Sequence, residues 1–176
     1  LKSMCGIVGI YLKTKKFEKN LGKMLSGMLN NMESRGPDSA GFAIYKNEKK
    51  DIFKYSLCIN DLNFKKFKKE ITNKIKKIQL SQHADHVILK TPIEPKIIIK
   101  IINEDFPEVS IVGYGNSIEI FKQVGNPKDV VKKFKLDSFS GTHGIGHTRM
   151  ATESAITTDG SHPYSTGKDE CLVHNG

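Results

Sequence analysis

Arginine is almost missing from this chain of 176 residues, whose 28 basic side chains include only Arg35 and Arg149. Lysine serves wherever a positive surface charge suffices. The two arginines are therefore read as chosen for their planar fork, which grips a carboxylate through two parallel hydrogen bonds as lysine does not. An ordinary ion pair or a contact to carbonyls is the alternative for each. Cysteine is scarce as well. Cys5, Cys58 and Cys171 are odd in number and irregular in spacing, which argues against a disulfide framework and for a reducing, cytoplasmic setting. No apolar run reaches the roughly 18 residues of a membrane helix. The opening MCGIVGIYL lacks the small-residue cleavage site of a signal peptide, because KTKKF follows it. Repeats and low-complexity linkers are absent too.

Acidic residues are in deficit, 19 against 28 basic, for a net charge of +9. Such a balance raises the question of an anionic partner, nucleic acid or a membrane surface. Most lysines, however, lie between Lys13 and Lys135 in amphipathic patterns such as FKKFKKEITNKIKKI, where they form the solvated face of a helix. With neither an arginine-rich run nor a nucleic-acid-binding motif, nucleic acid is set aside as a partner. From Gly141 onward the balance reverses, so the basic surface and the unusual residues occupy different places.

The length suits one ordinary domain burying roughly 70% of its unfolded surface. GIVGIY reads as a strand, and Phe17, Leu21, Met24, Leu25, Met28, Leu29 and Met32 recur at helical spacing, which places them on one core-facing stripe. SRGPDSAG breaks that pattern and GFAIYK resumes as a strand. From about residue 51 to 136 a series of strand, helix, strand, helix and hairpin is expected: KYSLCI, NFKKFKKEITNKIKKI, DHVILKT, PKIIIKIINE, VSIVGYG and SIEIFKQV. GNPKDVVKKF closes it as a short helix begun by Pro127. This block carries no chemical signature and is expected to be a small inserted α+β subdomain.

The last 36 residues, GTHGIGHTRMATESAITTDGSHPYSTGKDECLVHNG, hold four of the six histidines together with many Gly, Ser and Thr, a composition that suits site-building loops. His143, His147, His162, His174 and Cys171 invite a metal reading. Gly144 and Gly146 interrupt the first pair and no compact C-x-x-C companion exists, so structural histidines are preferred and no metal is assigned. The Asn175–Gly176 pair, read alone, is a tight hairpin turn.

Taken in order, CGIVGI beside an initiator-like Met4, RGPDSAG, GIGHTRMAT, HP and HNG resemble the class-II glutamine amidotransferases, glutaminase domains of the N-terminal-nucleophile hydrolases. The wording GTHGIGHTRMATESAITTDGSHPYSTG, with the insertion before it, looks most like the amidotransferase subunit of glutamate-synthase-like enzymes, including N-methylglutamate synthase. The resemblance implies an α+β fold, a four-layer αββα sandwich over residues 5–176, interrupted by the insertion at about 51–136. Residues 1–4 are then a leader or an artificial extension before a natural start at Met4, and the domain is expected to be cut short at Gly176.

The implied activity is glutamine hydrolysis through a Cys5 thioester, with ammonia passed to a synthase subunit or domain. No cofactor is implied for this domain. A free cysteine titrates near 8.5, so a thiolate nucleophile needs a base, and an α-amino group of pKa near 7.7–8.0 on the same residue would supply it. The resemblance assigns Asn175 and Gly176 to the oxyanion hole, where losing one donor typically costs about 3–4 kcal/mol of barrier. It assigns Arg149 and Thr152 to the α-carboxylate of glutamine, with Glu153 where many relatives carry histidine. Arg35 and Gly36 would shape the pocket. While residues 1–4 remain, the Cys5 nitrogen is an amide without basicity, and the aspartate that holds the α-amino group in the family lies beyond Gly176. The chain as it stands is therefore expected to be inactive. A catalytically silent basic binding module on the same scaffold, contacting a partner protein or nucleic acid, is the competing expectation.

Overall fold

A computed structural model describes residues 4–47, 50–151 and 155–175. Among them are ten strands and four α-helices, the α+β class expected.

The first sheet has the order β1-β8-β2-β7, antiparallel throughout. It comprises β1 (Gly6–Tyr11), β8 (His143–Arg149), β2 (Ser39–Tyr45) and β7 (Ile118–Val124). Side chains alternate between its faces. Val8, Phe42, Ile44 and Phe121 point to one side, into a core completed by α1 (Leu21–Asn31) and α4 (Pro127–Phe134). Gly144 and Gly146 let α1 come close, since a Cβ at Gly146 would stand 2.9 Å from Leu29 Cδ2.

The expected helical stripe is realised in part. Leu21, Leu25 and Leu29 are buried and Met28 and Met32 pack against their core, each leucine contributing about 1.5–3 kcal/mol. Phe17 is 46% exposed. Residues Lys15–Asn20 form a 3-10 helix, and three residues per turn carry Phe17 off the 3.6-residue stripe.

The second sheet has the order β4-β5-β3-β6, with β3 (Phe53–Cys58), β4 (Gln79–His83), β5 (His86–Thr91) and β6 (Ser110–Gly115). Tyr55, Leu57, Val87 and Leu89 pack on one face against Phe67 and Ile71 of α2 (Phe64–Lys74) and Ile98 and Ile102 of α3 (Pro95–Asp105). The lysines of α2 form its outer face, as the pattern required. Strand β4 was not anticipated. Its residues, QLSQH, lack an apolar alternation, and it is an edge strand recruited by backbone pairing to β5.

The 51–136 span is divided between the two sheets. β7 joins the first sheet, and α4, capped by the Asn126 side chain accepting from Lys128 N at 2.9 Å and begun by Pro127, packs on α1. The second sheet draws on Phe53–Gly115. It meets the first across the open edge of β7: Ile120 N donates to Ser56 Oγ at 2.8 Å, Ile118 and Ile120 cluster with Cys58 and Val112, and Phe121 clusters with Ile88.

The hairpin of β9 (Tyr164–Gly167) and β10 (Glu170–Leu172) is pinned to the β6–β7 turn by Asp169. Asp169 Oδ1 accepts from Ser117 N at 2.7 Å and from Ile118 N at 3.1 Å, and Oδ2 accepts from Asn116 N at 2.9 Å. The three cysteines are unbridged. Among the described residues no helix is long and apolar enough to cross a membrane.

Candidate functional site

Cys5 stands immediately before β1, half-buried, and antiparallel pairing of Gly6 with Thr148 brings it to the C-terminal end of β8. Its thiol points at the Met150 carbonyl, with Sγ 3.8 Å from the oxygen. Arg149 is the last residue of β8, so nucleophile candidate and carboxylate-binding candidate share one sheet end although 144 positions separate them in sequence. The Arg149 guanidinium donates to the Ala155 carbonyl at 3.4 Å.

Arg35 and Gly36 lie against the same end. Arg35 closes a short 3-10 helix, and Gly36 is packed so tightly on β8 that a Cβ there would stand 2.5 Å from the carbonyl carbon and oxygen of Thr148. Two residues on, Asp38 N donates to Arg149 O at 3.1 Å and Asp38 Oδ2 accepts from Ala151 N at 2.8 Å. Asp38 thus sets the path of the chain leaving Arg149. In the sequence Asp38 stands within RGPDSAG, where an aspartate after proline, able to cap a neighbouring backbone amide, is the available signal for this role.

Asn175 is exposed and follows His174, whose backbone is held on both sides. His174 N donates to His162 Nδ1 at 3.4 Å, and His174 O accepts from His147 Nε2 at 2.9 Å. His147 belongs to β8, two residues before Arg149. The His147 and His162 rings stack with centroids 4.2 Å apart, and His174 meets His162 at 4.9 Å. These contacts settle the tautomers: His147 carries its proton on Nε2, and His162 on the nitrogen away from His174. Burial, reinforced by the nearby cations Arg149 and Lys122, pushes the His162 pKa down to about 4, so its ring is neutral at pH 7. Burial also lowers His147, opposed by its bond to the His174 carbonyl.

Two further residues hold this segment. Gly41 of β2 leaves room for the His162 carbonyl, which a Cβ would strike, and the His162–Pro163 peptide is cis. Lys122 of β7 is buried and donates to Asp159 O at 3.0 Å and Ser161 O at 2.9 Å, with burial lowering its pKa.

Of the other candidates, His143 stacks on Tyr45 at 4.2 Å and Cys171 bonds the Tyr45 hydroxyl at 3.4 Å, at the far end of the sheet from Arg149. The histidines and Cys171 are thus split between two places. Among the described residues, the group whose donor atoms could converge on an ion is Cys58, Asp85 and His86, within 4.8 Å of one another. There Asp85 already bonds His86 Nδ1 at 2.9 Å and Lys133 Nζ at 2.8 Å. Thr152, Glu153 and Gly176 lie outside the described residues.

No family model matches the chain. Its sequence is 43% identical over 176 residues to the "Glutamine amidotransferase-like protein GlxB" of Rhizobium meliloti (strain 1021), covering 98% of this chain and 58% of that protein. It is 31% identical over 189 residues to the "Putative glutamine amidotransferase" of Methanothermobacter thermautotrophicus, covering 98% of this chain and 61% of that protein. A shorter match, 41% identical over 73 residues, joins 41% of this chain to 12% of a glutamine–fructose-6-phosphate aminotransferase (isomerizing) of Streptococcus agalactiae serotype V. The chain spans about three-fifths the length of the first two relatives. Its homologues are named as glutamine amidotransferases, amidotransferase-like proteins and glutamine-using aminotransferases, in agreement with the class-II amidotransferase resemblance.

Proposed function

We propose that this homologue of glutamine amidotransferases carries the glutaminase half-reaction, with Cys5 as nucleophile, on a domain of the N-terminal-nucleophile hydrolase type. The observation that carries the reading is the meeting of Cys5 and Arg149 at one end of the β1–β8 pair, with the segment leading to Asn175 tied to the same strand through His147.

In this reading removal of residues 1–4 frees the α-amine of Cys5, which takes the thiol proton. The sulfur attacks the side-chain carbonyl carbon of glutamine, and Asn175 with the Gly176 N–H stabilises the resulting oxyanion. The carbon–nitrogen bond breaks, the amine returns its proton to the leaving nitrogen, and ammonia departs. Water then cleaves the thioester, giving glutamate and the free thiol. Arg149, with Thr152 and the backbone at Glu153, holds the α-carboxylate of glutamine by a charge-assisted pair, and Arg35 and Gly36 shape the pocket wall. The ammonia passes to a synthase subunit or domain of glutamate-synthase-like type. In this reading hydrolysis requires Cys5 as a free N-terminus, because an acylated Cys5 nitrogen is an amide without basicity.

The test is mass spectrometry with a glutaminase assay on the full-length protein. A mature Cys5 terminus, labelled by a glutamine-mimicking electrophile and silenced by Cys5→Ala, is the expected result. Undiminished glutamine hydrolysis by the Cys5→Ala protein would overturn it.

A further inference from the structure

At the end of the first sheet remote from Cys5, where β2 gives way to Lys46, lies a cavity of about 670 Å³ between the two sheets. Seven residues of β2 separate it from the Arg149 end, roughly 20 Å at strand spacing. Its volume falls within the range of small-molecule sites, about 300–1,000 Å³.

The charge of its wall is unusual. Lys46, Lys54, Lys77 and Lys90 line it with one carboxylate, Glu18. A second carboxylate, Glu119, is buried beside it and binds both Lys46 Nζ at 2.6 Å and Lys54 Nζ at 3.3 Å. Lys54 is 6% exposed and stands directly opposite Lys90 in the β3–β5 register. Like charges facing each other across strands destabilise a sheet, and burial lowers the Lys54 pKa, opposed by Glu119 and reinforced by Lys46 and Lys90. Among the described residues no carboxylate pairs with Lys77 or Lys90. Among the described residues, four ammonium groups stand against two carboxylates, a surplus of two positive charges. Ile52, Ile78 and Pro92 complete the wall with apolar surface.

We propose that this cavity is a binding site for a small organic dianion, a phosphate monoester or a dicarboxylate, whose charges are met by Lys77 and Lys90 and whose carbon body rests on Ile52, Ile78 and Pro92. The ligand supplies the counter-charge that Lys77 and Lys90 lack. The site is separate from the candidate glutaminase centre and stands whether or not that assignment holds.

The experiment titrates the full-length protein with glycerol phosphate and, separately, with succinate, against chloride at matched ionic strength, read by thermal unfolding and by backbone amide shifts. Saturable stabilisation by one or both dianions, absent with chloride, is expected, with shifts at residues 52–54, 78–79 and 90–91. Which dianion binds more tightly tells a phosphate ester from a dicarboxylate. The Lys77→Gln/Lys90→Gln double variant should bind at least tenfold more weakly, Lys90→Arg should retain binding, and Cys5→Ala should bind as the parent does. The proposal falls if neither dianion saturates, if the double variant binds undiminished, or if the shifts cluster at residues 5–6 and 147–151.

Discussion

His147 Nε2 donates to the His174 carbonyl at 2.9 Å, tying the last described residues to the middle of β8. Nothing in the local sequence around either histidine connects them. Through that bond the strand that ends in Arg149 also positions the approach to Asn175.

Replacing His147 with Ala should therefore release Asn175 while leaving Arg149 in place. The lost hydrogen bond and the vacated ring space should cost about 2–3 kcal/mol of stability. In the matured full-length protein, kcat for glutamine hydrolysis should fall at least tenfold with KM little changed. An unaltered kcat would separate Asn175 from the oxyanion.

Stability should rise with pH between about 4 and 6.5 on account of His162, which binds its proton near 6.5 when unfolded and only near pH 4 when folded. The unfolded chain takes up the extra proton in that window, so acid favours unfolding. The contribution, of order 3 kcal/mol, is complete above the unfolded value and lost as pH falls towards 4. Denaturant titrations from pH 4.5 to 7.5 should show a shallower dependence in His162→Asn than in the parent, and equal slopes would refute the assignment.

Gly41→Ala should displace the His162 carbonyl, because the new methyl group occupies its place. Overpacking of this kind typically costs about 1–3 kcal/mol. The segment 155–175 should become the first site of proteolytic cleavage, while the helices over the opposite face of the sheet stay protected. Cleavage with the parent pattern would argue against the tight fit.

Asp38→Ala removes the acceptor for Ala151 N and loosens the chain just after Arg149. If Arg149 holds the substrate carboxylate, KM for glutamine should rise five- to tenfold with a smaller change in kcat. Asp38→Asn, which keeps an acceptor oxygen, should restore most of the affinity.

Some features were legible before any coordinates. The leucines of α1, Pro127 opening α4 and the alternation in β1 follow from period and capping chemistry, which act over a few residues. Strand β4 was not legible, since QLSQH has no periodic apolar signal and becomes a strand through hydrogen bonds that β5 offers. The partition of the 51–136 span was hidden for a similar reason: β6 and β7 are adjacent in sequence and read as one hairpin, yet β6 pairs with β3 and β7 with β2.

The residue types that could do chemistry, Cys5, Arg149 and Asn175, and the order of motifs around them are properties of the sequence alone. Scarcity made the arginine conspicuous, and position made the cysteine so. Only the tertiary structure set Cys5 beside the end of β8, gave Asp38, Gly41, Lys122 and His147 their positioning roles, and gathered the lysines of distant strands around one cavity. Strand register and burial decide those relationships, and both arise from contacts between residues far apart in the chain, where sequence periodicity carries no information.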